Sequence, residues 1–214
     1  MWPESLDRLQ MEGSGRDVAP GDRVELRVGR YTDPGAPMER VNACVTWSVD
    51  EPATATIDPG QHSLTVLPGA TGVVHVHARV RASGAVVSGE LVVIPKELAP
   101  LIGVWKEEAR LDCTRRTWVT PPKPIRELHV RAERKVLVTW TPFEVYYDYS
   151  AAFTWDPGTG KMSLQVEKVN YAPPDVRTSG AARIDKGALL LEGIWLGSAR
   201  GDKETPACAH RFVR

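Results

Sequence analysis

The run "VVHVHARV" at residues 73–80 sets the tone of the whole chain. Val74, Val76, Ala78 and Val80 fall on one side of an extended backbone, and His75, His77 and Arg79 on the other. A period of two is the signature of a half-buried strand, because successive side chains of a strand point to opposite faces. "RVELRV" repeats the pattern, with Val24, Leu26 and Val28 against Arg23, Glu25 and Arg27. Seventeen prolines and eighteen glycines punctuate the 214 residues at short intervals and leave almost no span for a helix. Short alternating runs between regular turn signals define an all-β protein.

The alternation lapses at "PKELAP", where two prolines bracket a turn. A domain boundary is expected there, giving domains 1–96 and 97–214. The first contains about seven short strands, the strand count of an immunoglobulin-like β-sandwich. "APGDRVELRV", "VTWSVDEPATATID", "LTVLPGATGVVHVHARV" and "LVVIP" follow one another in an order and spacing that resemble the bacterial immunoglobulin-like domain of the group-2 type. The resemblance implies a spacer or adhesive module on surface or exported proteins, with no chemistry of its own. Trp47, in line with Val45 and Val49, is the expected plug between the two sheets. Cys44 falls on the opposite face, where a half-covered small hydrophobe is the ordinary reading and an intermolecular thiol the sharper one.

In the second domain, strands are expected over 102–111, 126–132, 135–142, 149–156, 161–169, 178–185, 187–197 and 207–214. "AERK", "DPGTGK" and "DKG" are tight-turn sequences joining consecutive strands. Eight antiparallel strands in succession predict an up-and-down β-barrel, since closure removes exposed edges. Gly103 and Trp105 resemble the Gly-X-Trp that opens the first strand of lipocalin-like (calycin) barrels. That resemblance implies a tryptophan filling the closed end and a basic residue of the last strand lying over it, with Arg211 and Arg214 as candidates and Arg211 preferred. In such a barrel the first and last strands are antiparallel neighbours. Cys113, at the end of the first, then meets Cys208, at the start of the last, and a disulfide is expected to latch the seam. A disulfide implies an oxidising compartment: periplasm, cell surface or exterior. "MWPESLDRLQ" has neither a basic start nor an apolar stretch, so a removed signal peptide is the expectation.

Aromatic and aliphatic stripes are expected to line the barrel: Val138 and Trp140 on the third strand, Tyr149, Phe153 and Trp155 on the fourth, Leu164 on the fifth, Leu191 and Trp195 on the seventh. They are the ligand-binding candidates, suited to a small apolar or ring-bearing molecule; equally, they are what a solid barrel needs to fill itself. Catalytic motifs are absent: there is no Gly-X-Ser-X-Gly, His-Glu-X-X-His, phosphate-cradling loop or Cys-X-X-Cys. Loop carboxylates Glu144, Asp148 and Asp175 leave a hydrolase with acid–base chemistry at the barrel mouth as the least favoured reading. His129 and His210 stand isolated. His75 and His77 point to one face, but a zinc site wants three or four ligands, and no third histidine or cysteine lies near in sequence. No metal or cofactor is expected.

Lys plus Arg equals Asp plus Glu at 27 each, which argues against nucleic acid as a partner. No apolar run reaches the 18 residues of a membrane helix. The reading is therefore a non-catalytic envelope or secreted binding protein, whose partner is a small hydrophobic ligand or another protein. The alternative is a purely structural or assembly module with a solid barrel.

Overall fold

The computed structural model describes residues 9–30, 38–40, 45–58, 60, 62–81, 83–140, 147–167 and 170–214. Cys44 and Glu144 lie outside the described residues. The chain divides into two compact units, Met1–Pro95 and Lys96–Arg214. Both are built from strands and turns among the described residues.

Among the described residues the first unit has ten strands: β1 (Leu9–Met11), β2 (Arg16–Val18), β3 (Arg23–Glu25), β4 (Val28–Arg30), β5 (Glu39–Arg40), β6 (Val45–Val49), β7 (Ala55–Asp58), β8 (Ser63–Val66), β9 (Val73–Val80) and β10 (Val86–Val93). They form a four-stranded sheet in the order β2-β10-β9-β6 and two three-stranded sheets, β3-β8-β7 and β1-β4-β5. All pairings are antiparallel except β2 with β10. Side chains from all three sheets meet in one core, with Val74, Val76 and Ala78 of β9 wholly buried beside Trp47, Leu64 and Leu91. The alternation of residues 73–80 thus does what its period requires: one face makes the core and the histidine face is left outside. Trp47 is 8% exposed and its indole N–H donates to His62 Nδ1 at 3.1 Å.

The second unit is a closed barrel. Its strands are β11 (Gly103–Leu111), β13 (Glu127–Val130), β14 (Lys135–Thr139), β15 (Tyr149–Trp155), β16 (Lys161–Glu167), β17 (Ser179–Asp185), β18 (Ala188–Glu192) and β19 (Ala209–Val213). Each pairs antiparallel with the next, and β19 returns to pair with β11, from Lys106↔Val213 to Leu111↔Ala209. A two-residue strand β12 (Trp118–Val119), not expected from the sequence, adds to the end of β11. The turns are the ones their residues demand. Lys186 and Gly187 both have positive φ, as a two-residue hairpin loop requires. Asp156 accepts from Gly158 N–H at 2.9 Å and from the Thr159 hydroxyl at 2.6 Å.

Closure brings the distant cysteines together. Cys113 and Cys208, 95 residues apart, form a disulfide with Cα atoms 5.0 Å apart. At the opposite end Trp105 is 1% exposed, donates to Leu101 O at 2.8 Å, and lies under a guanidinium. That guanidinium belongs to Arg214 and not to Arg211. Arg214 Cζ is 4.5 Å from the ring centroid, and its Nη2 donates to Ile102 O at 3.0 Å. Arg211 faces away, paired with Glu108 at 2.9 Å. The reason is parity: His210 and Phe212 point inward and are wholly buried, so Arg211 between them points out. Gly103 carries a φ of +140°, a region that suits glycine, with Arg214 Nε 3.6 Å from where a Cβ would stand.

The disulfide yields a direct expectation. The denatured, unreduced chain should titrate one free thiol of three; three would refute the bridge. Cys113→Ser should lower stability by up to about 4–5 kcal/mol, the chain-entropy value for a loop of this size, measured by chemical denaturation.

Candidate functional site: the barrel interior and its disulfide end

The interior is filled. Leu128, Val130, Val136, Met162, Leu164, Leu189 and Leu191, with Leu101, Ala182 and Leu196, surround a residual void of about 10 Å³. That is no more than the space for a single water. Of the residues expected to line a ligand cavity, Leu164 and Leu191 border this void. Val138, Tyr149 and Phe153 are buried in the same packing, 0%, 0% and 3% exposed. Tyr149 spends its hydroxyl on Leu196 O at 2.6 Å, and burial pushes its pKa up.

The other three candidates lie toward the two ends of the barrel. Trp155 is half-buried at the Trp105 end, donating to Ala182 O at 3.0 Å and bordering a cleft with Pro100 and Ile184. Trp195 is wholly buried and stacks on the inward-facing His210, away from the central void. Gly193, at φ +75°, follows the last residue of β18 and resets the alternation, so Leu196 joins Leu189 and Leu191 around the void. Trp140 sits at the disulfide end, beside a cleft of about 310 Å³ shared with Lys123, Arg126, Asp148 and Arg200.

A polar plug that the sequence reading missed occupies this end. Glu107 faces inward from β11, and its side chain is wholly buried. A register shift between Glu107 and Ala109 turns Arg110 inward as well. The Arg110 guanidinium grips both Glu107 oxygens, at 2.8 and 2.9 Å, and also pairs with Glu204. Glu107 further accepts from Ile125 N–H at 2.8 Å and from His210 Nδ1. His210 Nε2 accepts from Leu196 N–H at 3.4 Å, so the ring's two nitrogens have opposite roles and its tautomer is set. Trp195 stacks on His210 with centroids 5.0 Å apart, under Arg110 at 5.0 Å. Its indole N–H donates to Asp175 at 2.9 Å, and Asp175 also accepts from the Ser198 hydroxyl at 2.8 Å.

Electrostatics follow from these contacts. Burial pushes the Glu107 carboxyl up, but hydrogen bonds from His210 and Arg110, with the Arg110 charge, outweigh it and hold the group below the ordinary value. Burial likewise raises Asp175, and the hydrogen bonds from Trp195 and Ser198 more than reverse it. Both carboxylates are thus held ionised as acceptors, the reverse of a general acid. Asp148 uses one oxygen on Trp140 N–H at 2.9 Å. The signal for the plug was present in "GVWKEEARL": Glu107 shares its parity with Trp105, so a charge on the tryptophan's face needed a buried partner.

No family model matches the chain, and no curated protein does. A solved structure of a structural-genomics protein of unknown function from Bacteroides ovatus is similar over 97% of this chain and 93% of its own, at 10% identity and a TM-score of 0.29. A likeness at that level carries no argument.

Glu107→Gln should cost about 3–5 kcal/mol, because it leaves a buried guanidinium without its main counter-charge. The sign of the pH dependence is set by the lowered carboxyl. Its stabilisation is complete above the unfolded value near 4.5 and disappears as pH falls through the lower folded value. Denaturation midpoints of wild type and variant should therefore converge in acid. A constant gap across that range would contradict the assignment.

Proposed function

We propose that this is a non-catalytic interaction protein of an oxidising, extracytoplasmic compartment, and that its barrel is a solid scaffold. The observation that carries the reading is the interior void of about 10 Å³, against the roughly 300 Å³ or more of a small-molecule pocket. The buried Glu107–Arg110–His210 plug supports it from the disulfide end, since a ligand entering there would have to displace paired charges. The Cys113–Cys208 bridge supports the compartment, because such bonds persist where thiols are not kept reduced. The ionised, hydrogen-bonded state of Asp175 weighs against the hydrolase reading.

Two finer assignments belong to the same proposal. The second unit is a calycin-like barrel, supported by Gly103, Trp105 and the covering Arg214. The first is a bacterial immunoglobulin-like spacer, supported by the buried Trp47 and the alternating β9 strand.

One observation favours a second reading, in which a small ligand is held at the mouth and not in the core. The cleft beside Trp140 has about 310 Å³, Arg126, Arg200 and Asp148 on its walls, and a tryptophan whose buried indole N–H has no partner among the described residues. Its chemistry suits an anionic molecule more than an apolar one.

Native mass spectrometry of protein isolated from its own host separates these readings. The solid-scaffold reading expects the bare chain with one disulfide. A stoichiometric anionic companion supports the mouth site. A stoichiometric apolar companion would overturn the solid barrel.

A further inference from the structure

The outer face of the first unit's four-stranded sheet gathers nitrogen and oxygen donors that the barrel's chemistry does not use. On β9, His75 lies opposite Glu90 of β10, and His77 lies between Ser48 of β6 and Ser88 of β10. The chain leaves β6 into Asp50 and Glu51, and Asp50 N–H donates to His75 O at 3.3 Å. Strand pairing thus supplies what proximity in sequence does not, two carboxylates beside two imidazoles. Donor atoms of Asp50, Glu51 and His75 all lie within 4.8 Å of one another. His75 Nδ1 is 3.0 Å from Glu51 Oε1, and His77 Nε2 is 3.0 Å from Asp50 Oδ1.

We propose that Asp50, Glu51, His75 and His77 form a surface site for a divalent cation of the zinc class. Nitrogen and oxygen ligands on bonds of about 2.0–2.2 Å in a tetrahedron stand about 3.3–3.6 Å apart. The 3.0 Å contact of His75 with Glu51 is already near that edge length and Asp50 completes the close group, while His77, within 3.0 Å of Asp50, is the fourth donor and has to turn toward the ion. Two features hold the donors in place. His77 Nδ1 meets the Ser88 hydroxyl at 2.8 Å, which turns Nε2 toward Asp50, the orienting contact that metal-bound histidines use. Glu51 Oε2 accepts from His75 N–H at 3.2 Å, which turns Oε1 toward the ring. Two imidazoles favour zinc, copper or nickel over calcium or magnesium, which take all-oxygen shells. Simple surface ion pairing is the competing explanation, and pairs this exposed are worth little.

The test is calorimetric titration of the full, tag-free chain with zinc chloride. A Cys44→Ser background removes the thiol outside the disulfide. One ion per chain with micromolar affinity is expected, and cobalt should give the visible absorption of a four- or five-coordinate site. Asp50→Asn and His75→Ala should abolish binding, and Ser88→Ala should weaken it about tenfold as loss of an orienting partner does. His129→Ala should leave it unchanged. The substituted groups in the cluster are partly exposed, so metal-free thermal melts should match wild type. Absence of binding, or binding that survives His75→Ala and His77→Ala, would overturn the site and leave ion pairs alone.

Discussion

The pairing of β11 with β19 is the constraint on which the second unit depends. Without it the sheet has two long edges and an apolar face open to water, the arrangement that β-proteins avoid. With it, every strand from β11 to β19 except the short β12 has a neighbour on each side, and one face becomes an interior. The same pairing sets the functional geometry. It places Cys113 beside Cys208 at one end and, through Arg214 just beyond β19, a cation over Trp105 at the other. It also sets Glu107 across from Phe212, close enough to His210 for the buried contact.

What fills the interior differs between the two ends, and the difference decides the functional reading. The middle and the Trp105 end are aliphatic and aromatic, packed around almost no free volume. The disulfide end is polar, yet its groups satisfy one another: one arginine serves two glutamates, and one histidine is held between a carboxylate and a backbone N–H. Such a network is a stable plug while complete and costly when broken. A cup-shaped binder would need this end open.

Much of the fold was legible in the sequence, because it rests on local rules. Alternation with period two identified β9 and the barrel strands, and turn residues such as Lys186–Gly187 and Asp156–Gly160 separated them. The disulfide was legible once eight strands were counted, since antiparallel closure leaves little choice of neighbours. The interior was less so. Parity reasoning carried the strand past Gly193 unbroken and put Leu196 on the face opposite Trp195, whereas the positive φ there breaks the alternation and Leu196 borders the void while Trp195 stacks on His210. The shift between Glu107 and Ala109 is likewise invisible to a period of two, and it is what turns Arg110 inward. Arg211 and Arg214 could not be ranked until the last strand's inward face was known. The Asp50–Glu51–His75–His77 cluster depends on which strand lies beside β9, and cross-strand neighbours are not written in any one segment.

Amide hydrogen exchange read by mass spectrometry tests the closed seam most directly. Peptides covering β11 and β19 should exchange slowly and together, with protection equal to that of the central strands β14 and β15, because both sides of each are paired. Rapid exchange of β19, as at a free sheet edge, would contradict closure, and with it the sealed interior and the solid-scaffold reading.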